Sequence, residues 1–90
     1  MASKSFTLFG LPNELDTCRL GLTVTRKFGG AARRNRAKRL LREVFRLHRH
    51  ELSPALDLVV NPRPNLRERT LSELEAEFLS CFRRLARGLR

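Results

Sequence analysis

Apolar side chains recur in rough alternation from Ser5 to Leu11, with Phe6 and Leu8 followed by Phe9 or Leu11, a period of two that predicts a first strand. Pro12-Asn13-Glu14-Leu15-Asp16 reads as the turn of a hairpin. Alternation resumes from Arg19 to Lys27, where Leu20, Leu22 and Val24 oppose Arg19, Gly21, Thr23 and Thr25. The second strand therefore has one apolar face and one small, polar and basic face open to a ligand. Phe28-Gly29-Gly30 ends it, the glycines permitting a tight entry into the next element.

The period then lengthens. At about 100° per residue, Ala37, Leu40, Leu41, Val44, Phe45, Leu47 and His48 gather on one side of a helix, and Asn35, Lys38, Arg39, Arg42, Arg46 and Arg49 gather on the other. This helix is expected from about Ala31 to about Leu52, stopped by Ser53-Pro54. Leu56-Asp57-Leu58-Val59-Val60-Asn61 is nearly continuous in apolar character, as in a strand that is covered on both faces or centrally placed, and Pro62-Arg63-Pro64 ends it. Strand, helix, strand in this order suggests a parallel crossover. Thr70 and Glu73 form a capping box ahead of a last helix whose stripe is Leu71, Leu74, Phe78, Cys81, Phe82 and Leu85.

Ninety residues with 41% hydrophobic content make one small folded domain, residues 1–90, rather than a disordered basic tail. Charge changes the picture more. The net charge is +10, and +9 of it falls between Arg26 and Arg49, where ten Lys or Arg face the single acid Glu43. Basic residues on a helix are commonly just its solvent side, but repulsion at this density costs stability unless a partner neutralises it. Arginine predominates, and its planar guanidinium binds phosphate oxygens bidentately and stacks on bases, so nucleic acid leads the possible partners.

Cys18 and Cys81 lack metal-ligand spacing and read as buried small hydrophobes in a reducing compartment. No apolar stretch approaches the ~18 residues that span a bilayer, and no signal-peptide core opens the chain, so a cytoplasmic protein without a membrane partner is expected. His48 and His50 are two apart on a helix and point about 200° from each other, so they cannot share one metal or acid-base site. Neither catalytic nor metal-ligating residues are expected in the polypeptide, since no Ser/His/Asp set or P-loop is present.

Arg34-Asn35-Arg36, followed by Lys38-Arg39, Arg42, Phe45 and Arg46, resembles the Arg-Asn-Arg helix of the protein component of bacterial ribonuclease P. The resemblance extends upstream through Arg19-Leu20-Gly21-Leu22-Thr23-Val24-Thr25-Arg26-Lys27-Phe28-Gly29 and downstream through Asp57-Leu58-Val59-Val60 with Arg63. It implies an α+β fold, a two-layer sandwich with a mixed β-sheet and a left-handed βαβ crossover, against the general right-handed rule. The family normally begins with a basic, aromatic-bearing helix that walls a cleft for the 5′ leader, whereas these residues open at the first strand, so the order expected for them is ββαβα.

The resemblance also implies a division of labour. The protein would bind the catalytic RNA of ribonuclease P and help it hold precursor tRNA during Mg²⁺-dependent endonucleolytic removal of the 5′ leader, with catalysis and Mg²⁺ belonging to the RNA. Arg34, Arg36, Lys38, Arg39, Arg42 and Arg46 match RNA-contacting positions, Asn35 would hydrogen-bond, and Arg33 lies beside the signature. Phe6, Phe9, Thr23, Thr25, Arg26 and Lys27 are candidates for the leader cleft, with core packing the alternative for Phe6 and Phe9. Two other classes fit the charge: a noncatalytic RNA-binding protein such as a ribosomal component, and a DNA-binding module, which no helix-turn-helix spacing supports.

Overall fold

The computed structural model describes residues 1–88. In chain order these form β1 (Phe6–Pro12), β2 (Arg19–Leu22), a 3-10 turn (Arg26–Phe28), α1 (Ala31–His48), a second 3-10 turn (Arg49–Glu51), β3 (Leu56–Pro62), a third 3-10 turn (Pro64–Glu68) and α2 (Leu71–Gly88). The fold is α+β, a three-stranded mixed sheet with two helices in the order ββαβα.

The expected hairpin between the first two strands does not form. The sheet order is β1-β3-β2, with β3 antiparallel to β1 and parallel to β2. The connection crosses the end of β3 instead, where Asn13 Nδ2 donates to Thr17 O at 3.3 Å and to Asp57 Oδ1 at 3.0 Å. Placing β3 in the middle pairs both edges of the most buried strand, and the helix between β2 and β3 gives the long connection that parallel strands need. β3 is central but not covered on both faces: Leu56, Leu58, Val60 and Pro62 are buried, while Val59 and Asn61 are exposed on the other face.

β2 is shorter than the alternation from Arg19 to Lys27 implied, and Pro62 explains where it stops. Thr23 N donates to Val60 O at 3.0 Å, but the next donor due from β3 is Pro62, which has no N–H. Beyond that point the chain turns through Arg26–Phe28 into α1. Gly29 has φ 150°, in a region that favours glycine, and Gly30 caps α1 without a side chain. α1 itself ends at His48 rather than near Leu52, its last turn tightening to 3-10 geometry so that Leu52 N reaches Arg49 O at 3.4 Å.

One face of the sheet carries the core. Phe6 and Leu8, Leu20 and Leu22, and Leu56, Leu58 and Val60 meet Ala37, Leu41 and Val44 of α1 and Leu74, Phe78, Cys81 and Phe82 of α2. Both cysteines are free and buried. The capping box of α2 forms as its spacing predicts, Thr70 N donating to Glu73 Oε1 at 2.9 Å and Glu73 N to Thr70 Oγ1 at 3.2 Å. Leu47 departs from the expected apolar side: it keeps 45% exposure because it lies about a quarter turn from the line through Ala37, Leu41 and Val44.

Candidate nucleic-acid interface

Burying Ala37, Leu41 and Val44 against the sheet fixes the rotation of α1 and therefore where each basic side chain goes. Asn35, Arg39 and Arg46 stand on the crest, farthest from the core, and all are exposed. Arg34, Lys38 and Arg42 line the flank towards β2, with Arg34 and Lys38 half-buried and Arg42 exposed. Exposed Arg33 and Arg36 line the opposite flank, beside the Pro64–Glu68 turn. All eight positions expected to contact RNA thus lie on the crest or flanks of one element, and none is in the core.

They are not equivalent. Arg36 donates from Nη1 to Arg67 O at 3.2 Å and from Nη2 to Arg69 O at 3.3 Å, so it ties α1 to the segment that follows β3. Arg46 clasps Glu43 through Nε at 3.0 Å and Nη2 at 2.5 Å, which raises the guanidinium pKa and lowers that of the carboxyl, and leaves this arginine partly neutralised. Arg39 and Arg42 make no such pair among the described residues, which leaves their charge available to a partner.

Arg67 was not foreseen. Its guanidinium carbon lies 6.0 Å from the centre of the Phe28 ring, its Nε donates to Pro64 O at 2.9 Å, and with Arg33 and Arg36 it lines a notch at the start of α1. The only sequence signal for it is another arginine beyond a Pro-x-Pro break, too distant along the chain to be associated with α1 by periodicity.

The second candidate surface is the uncovered face of the sheet. Phe9 at 55% exposure pairs with Val59 at 38%, and Leu11 at 72% pairs with Asp57. Arg19 forks onto Asp57 at 2.7 and 2.6 Å, and this guanidinium together with Asn13 holds the Asp57 carboxyl down to about 2. Thr23 follows the register onto this face beside Asn61, and Thr25, Arg26 and Lys27 are exposed just beyond the ladder. Phe6 is corrected: it is fully buried, its ring centre 6.5 Å from that of Phe78, because in β1 it shares the inward parity of Leu8 while Phe9 takes the outward one. Of the two phenylalanines only Phe9 is placed to meet a ligand.

His48 lies between two carboxylates, its Nδ1 2.5 Å from Glu51 Oε1 and its Nε2 2.7 Å from Glu75 Oε2, which raises its pKa, whereas His50 is exposed. Among the described residues no cluster of three or more His, Cys, Asp or Glu could hold a metal ion, and no helix is long and apolar enough to cross a membrane.

A family model described as Ribonuclease P matches residues 1–86. The ribonuclease P protein component of Alkaliphilus metalliredigens is 35% identical over 85 residues, covering 94% of this chain and 77% of that protein. That of Oleidesulfovibrio alaskensis is 43% identical over 91 residues, covering 97% and 73%. Among solved structures, the RNase P protein of Thermotoga maritima superposes with a TM-score of 0.83 at 35% identity, over 93% of this chain and 80% of that one. The Staphylococcus aureus RNase P protein gives 0.78 at 30% identity, over 92% and 76%.

Proposed function

The chain belongs to the bacterial ribonuclease P protein family, and from that premise we propose that α1 docks on the catalytic RNA while the open sheet face holds the 5′ leader of precursor tRNA. As a ribonuclease P protein component it is a subunit of a ribonucleoprotein endoribonuclease, associates with ribonuclease P RNA and takes part in tRNA processing. The observation that carries the docking reading is the rotation of α1, which leaves Arg33, Arg34, Asn35, Arg36, Lys38, Arg39, Arg42 and Arg46 on the crest and flanks of one rod and none of them in the core.

Such a rod lowers the repulsion between two polyanions, since each phosphate neutralised by a guanidinium releases a condensed counterion. Asn35, on the crest among arginines, adds a hydrogen-bonding group that a phosphate-only contact would not need. On the opposite side of the molecule Phe9 offers a stacking surface for a base, worth about 1–3 kcal/mol, with Thr23, Thr25, Arg26 and Lys27 along the strand's end to meet the backbone. Opposed surfaces suit a subunit that holds its RNA with one side and the substrate's single-stranded leader with the other.

Bond breaking is assigned to the RNA. In this reading the Mg²⁺ that ribonuclease P uses sits on the RNA, where it activates water and stabilises the leaving oxygen. The 90 residues act as one RNA-binding domain, with the β2-α1-β3 crossover left-handed as the family resemblance implies. Reconstitution tests the reading: at limiting Mg²⁺ the chain should stimulate leader removal by ribonuclease P RNA, and the chain alone should cleave nothing. Absence of stimulation, or cleavage by the polypeptide unaided, would overturn it.

A further inference from the structure

Between the β2 edge and the neighbouring flank of α1 lies an open groove of about 430 Å³, floored by Leu20, Leu22 and half-buried Phe45 and rimmed by Lys38, Arg42 and Arg49. The strand beside it, β2, is an edge of the sheet. Thr23 N donates to Val60 O, and parallel alternation then directs the N–H and C=O of Leu20 and Leu22 away from β3, off the edge of the sheet. These groups bond to nothing else among the described residues. The cations differ in availability: Arg49 donates to Thr17 Oγ1 at 3.2 Å, whereas Lys38 and Arg42, one helical turn apart, have no ion-pair partner among the described residues.

We propose that this groove receives one unpaired nucleotide of the ribonuclease P RNA, its base against Phe45 and the β2 edge and its flanking phosphates on Lys38 and Arg42. An edge residue such as Leu22 presents a donor and an acceptor side by side in the same direction, and the Watson–Crick edge of an unpaired base presents the complementary pair. A base inside a duplex has that edge occupied, so the groove selects a bulged or looped nucleotide. A strand from a second copy of the chain would satisfy the same backbone groups, but it would bring two +10 molecules together at Lys38 and Arg42, where charge favours a polyanion.

The inference rests on the reading that α1 docks on this RNA, and the test separates the two. Dimethyl sulfate and carbodiimide together report all four Watson–Crick edges, and hydroxyl radicals report ribose burial, on ribonuclease P RNA with and without the full chain. The expected result is one unpaired base protected by the chain and exposed again with Phe45→Leu, while the ribose footprint persists. Affinity should fall about tenfold with the dependence on salt unchanged. Phe45→Met, which keeps volume but not the ring, replaces Phe45→Leu if the latter fails to fold by circular dichroism. A ribose footprint without any protected base, or a protected base indifferent to both variants, overturns the groove alone. No footprint at all overturns the docking reading with it.

Discussion

Leu41 and Leu47 lie six residues apart on α1, and helical periodicity assigns both to the apolar side, yet Leu41 retains 2% exposure and Leu47 45%. The difference sets their energetic roles. Leu41→Ala removes a side chain clasped by the sheet and should cost about 2–5 kcal/mol, because the cavity left behind closes only partly. Leu47→Ala should change stability by less than about 0.5 kcal/mol. Urea unfolding of both variants checks this, and comparable losses would mean that α1 is rotated from the orientation that directs its arginines outward. The two phenylalanines of β1 carry the same lesson. Phe6 and Phe9 have opposite parity, so one strand cannot bury both on one face, but parity alone does not say which of them is inside; that is decided by where α2 lays Phe78. Arg67 lay beyond reach for a different reason, since its relation to α1 is made across the fold, through the Arg36 hydrogen bond to its carbonyl and the notch it shares with Arg33.

The helices and the start of α2 were legible because their signals are local, a 3.6-residue stripe and a Thr-x-x-Glu box whose hydrogen bonds form as the spacing requires, whereas the Ser-Pro stop placed the end of α1 one turn too late. Strand order was not, because alternation says which side of a strand faces the core and nothing about its neighbour; β3 separates β1 from β2 through pairings distant in the chain, such as Phe6 with Pro62 and Leu22 with Val60. Coupling between elements is also invisible to periodicity. His48, with a side chain 16% exposed, joins the end of α1 to Glu51 in the following turn and to Glu75 of α2. Only the imidazolium can donate to both carboxylates at once. Hydrogen bonds to Glu75 and then Glu51 raise its pKa, so the stabilisation is fully present below the unfolded value of about 6.5 and is lost as pH rises through the higher folded value. Thermal melts from pH 6 upward should therefore show a decline that His48→Gln removes, and an identical slope in the variant would place the titration elsewhere.

For the whole molecule, sequence charge and fold act together. The fold puts both helices on one side of the sheet, so the basic side chains of α1 are gathered on the face opposite Phe9 and Val59 instead of being spread around the surface. Within that field Glu43 is the only acid on α1, and it spends its charge on Arg46. If the field docks RNA by releasing counterions, the count of uncompensated cations sets the salt dependence of binding. Arg39→Ala removes a cation with no acid partner and should flatten the slope of log K against log salt by about 0.7–0.9. Glu43→Gln does the reverse: freeing Arg46 for a phosphate should steepen the slope by a similar amount and tighten binding at low salt, with little change at high salt, where screening shortens the reach of the extra charge. Titration of ribonuclease P RNA with the three proteins across a salt series measures all of this at once. Glu43→Gln that weakens binding would mean the carboxylate itself orients Arg46 for RNA, and the crest would then work by fixed geometry rather than by counting charge.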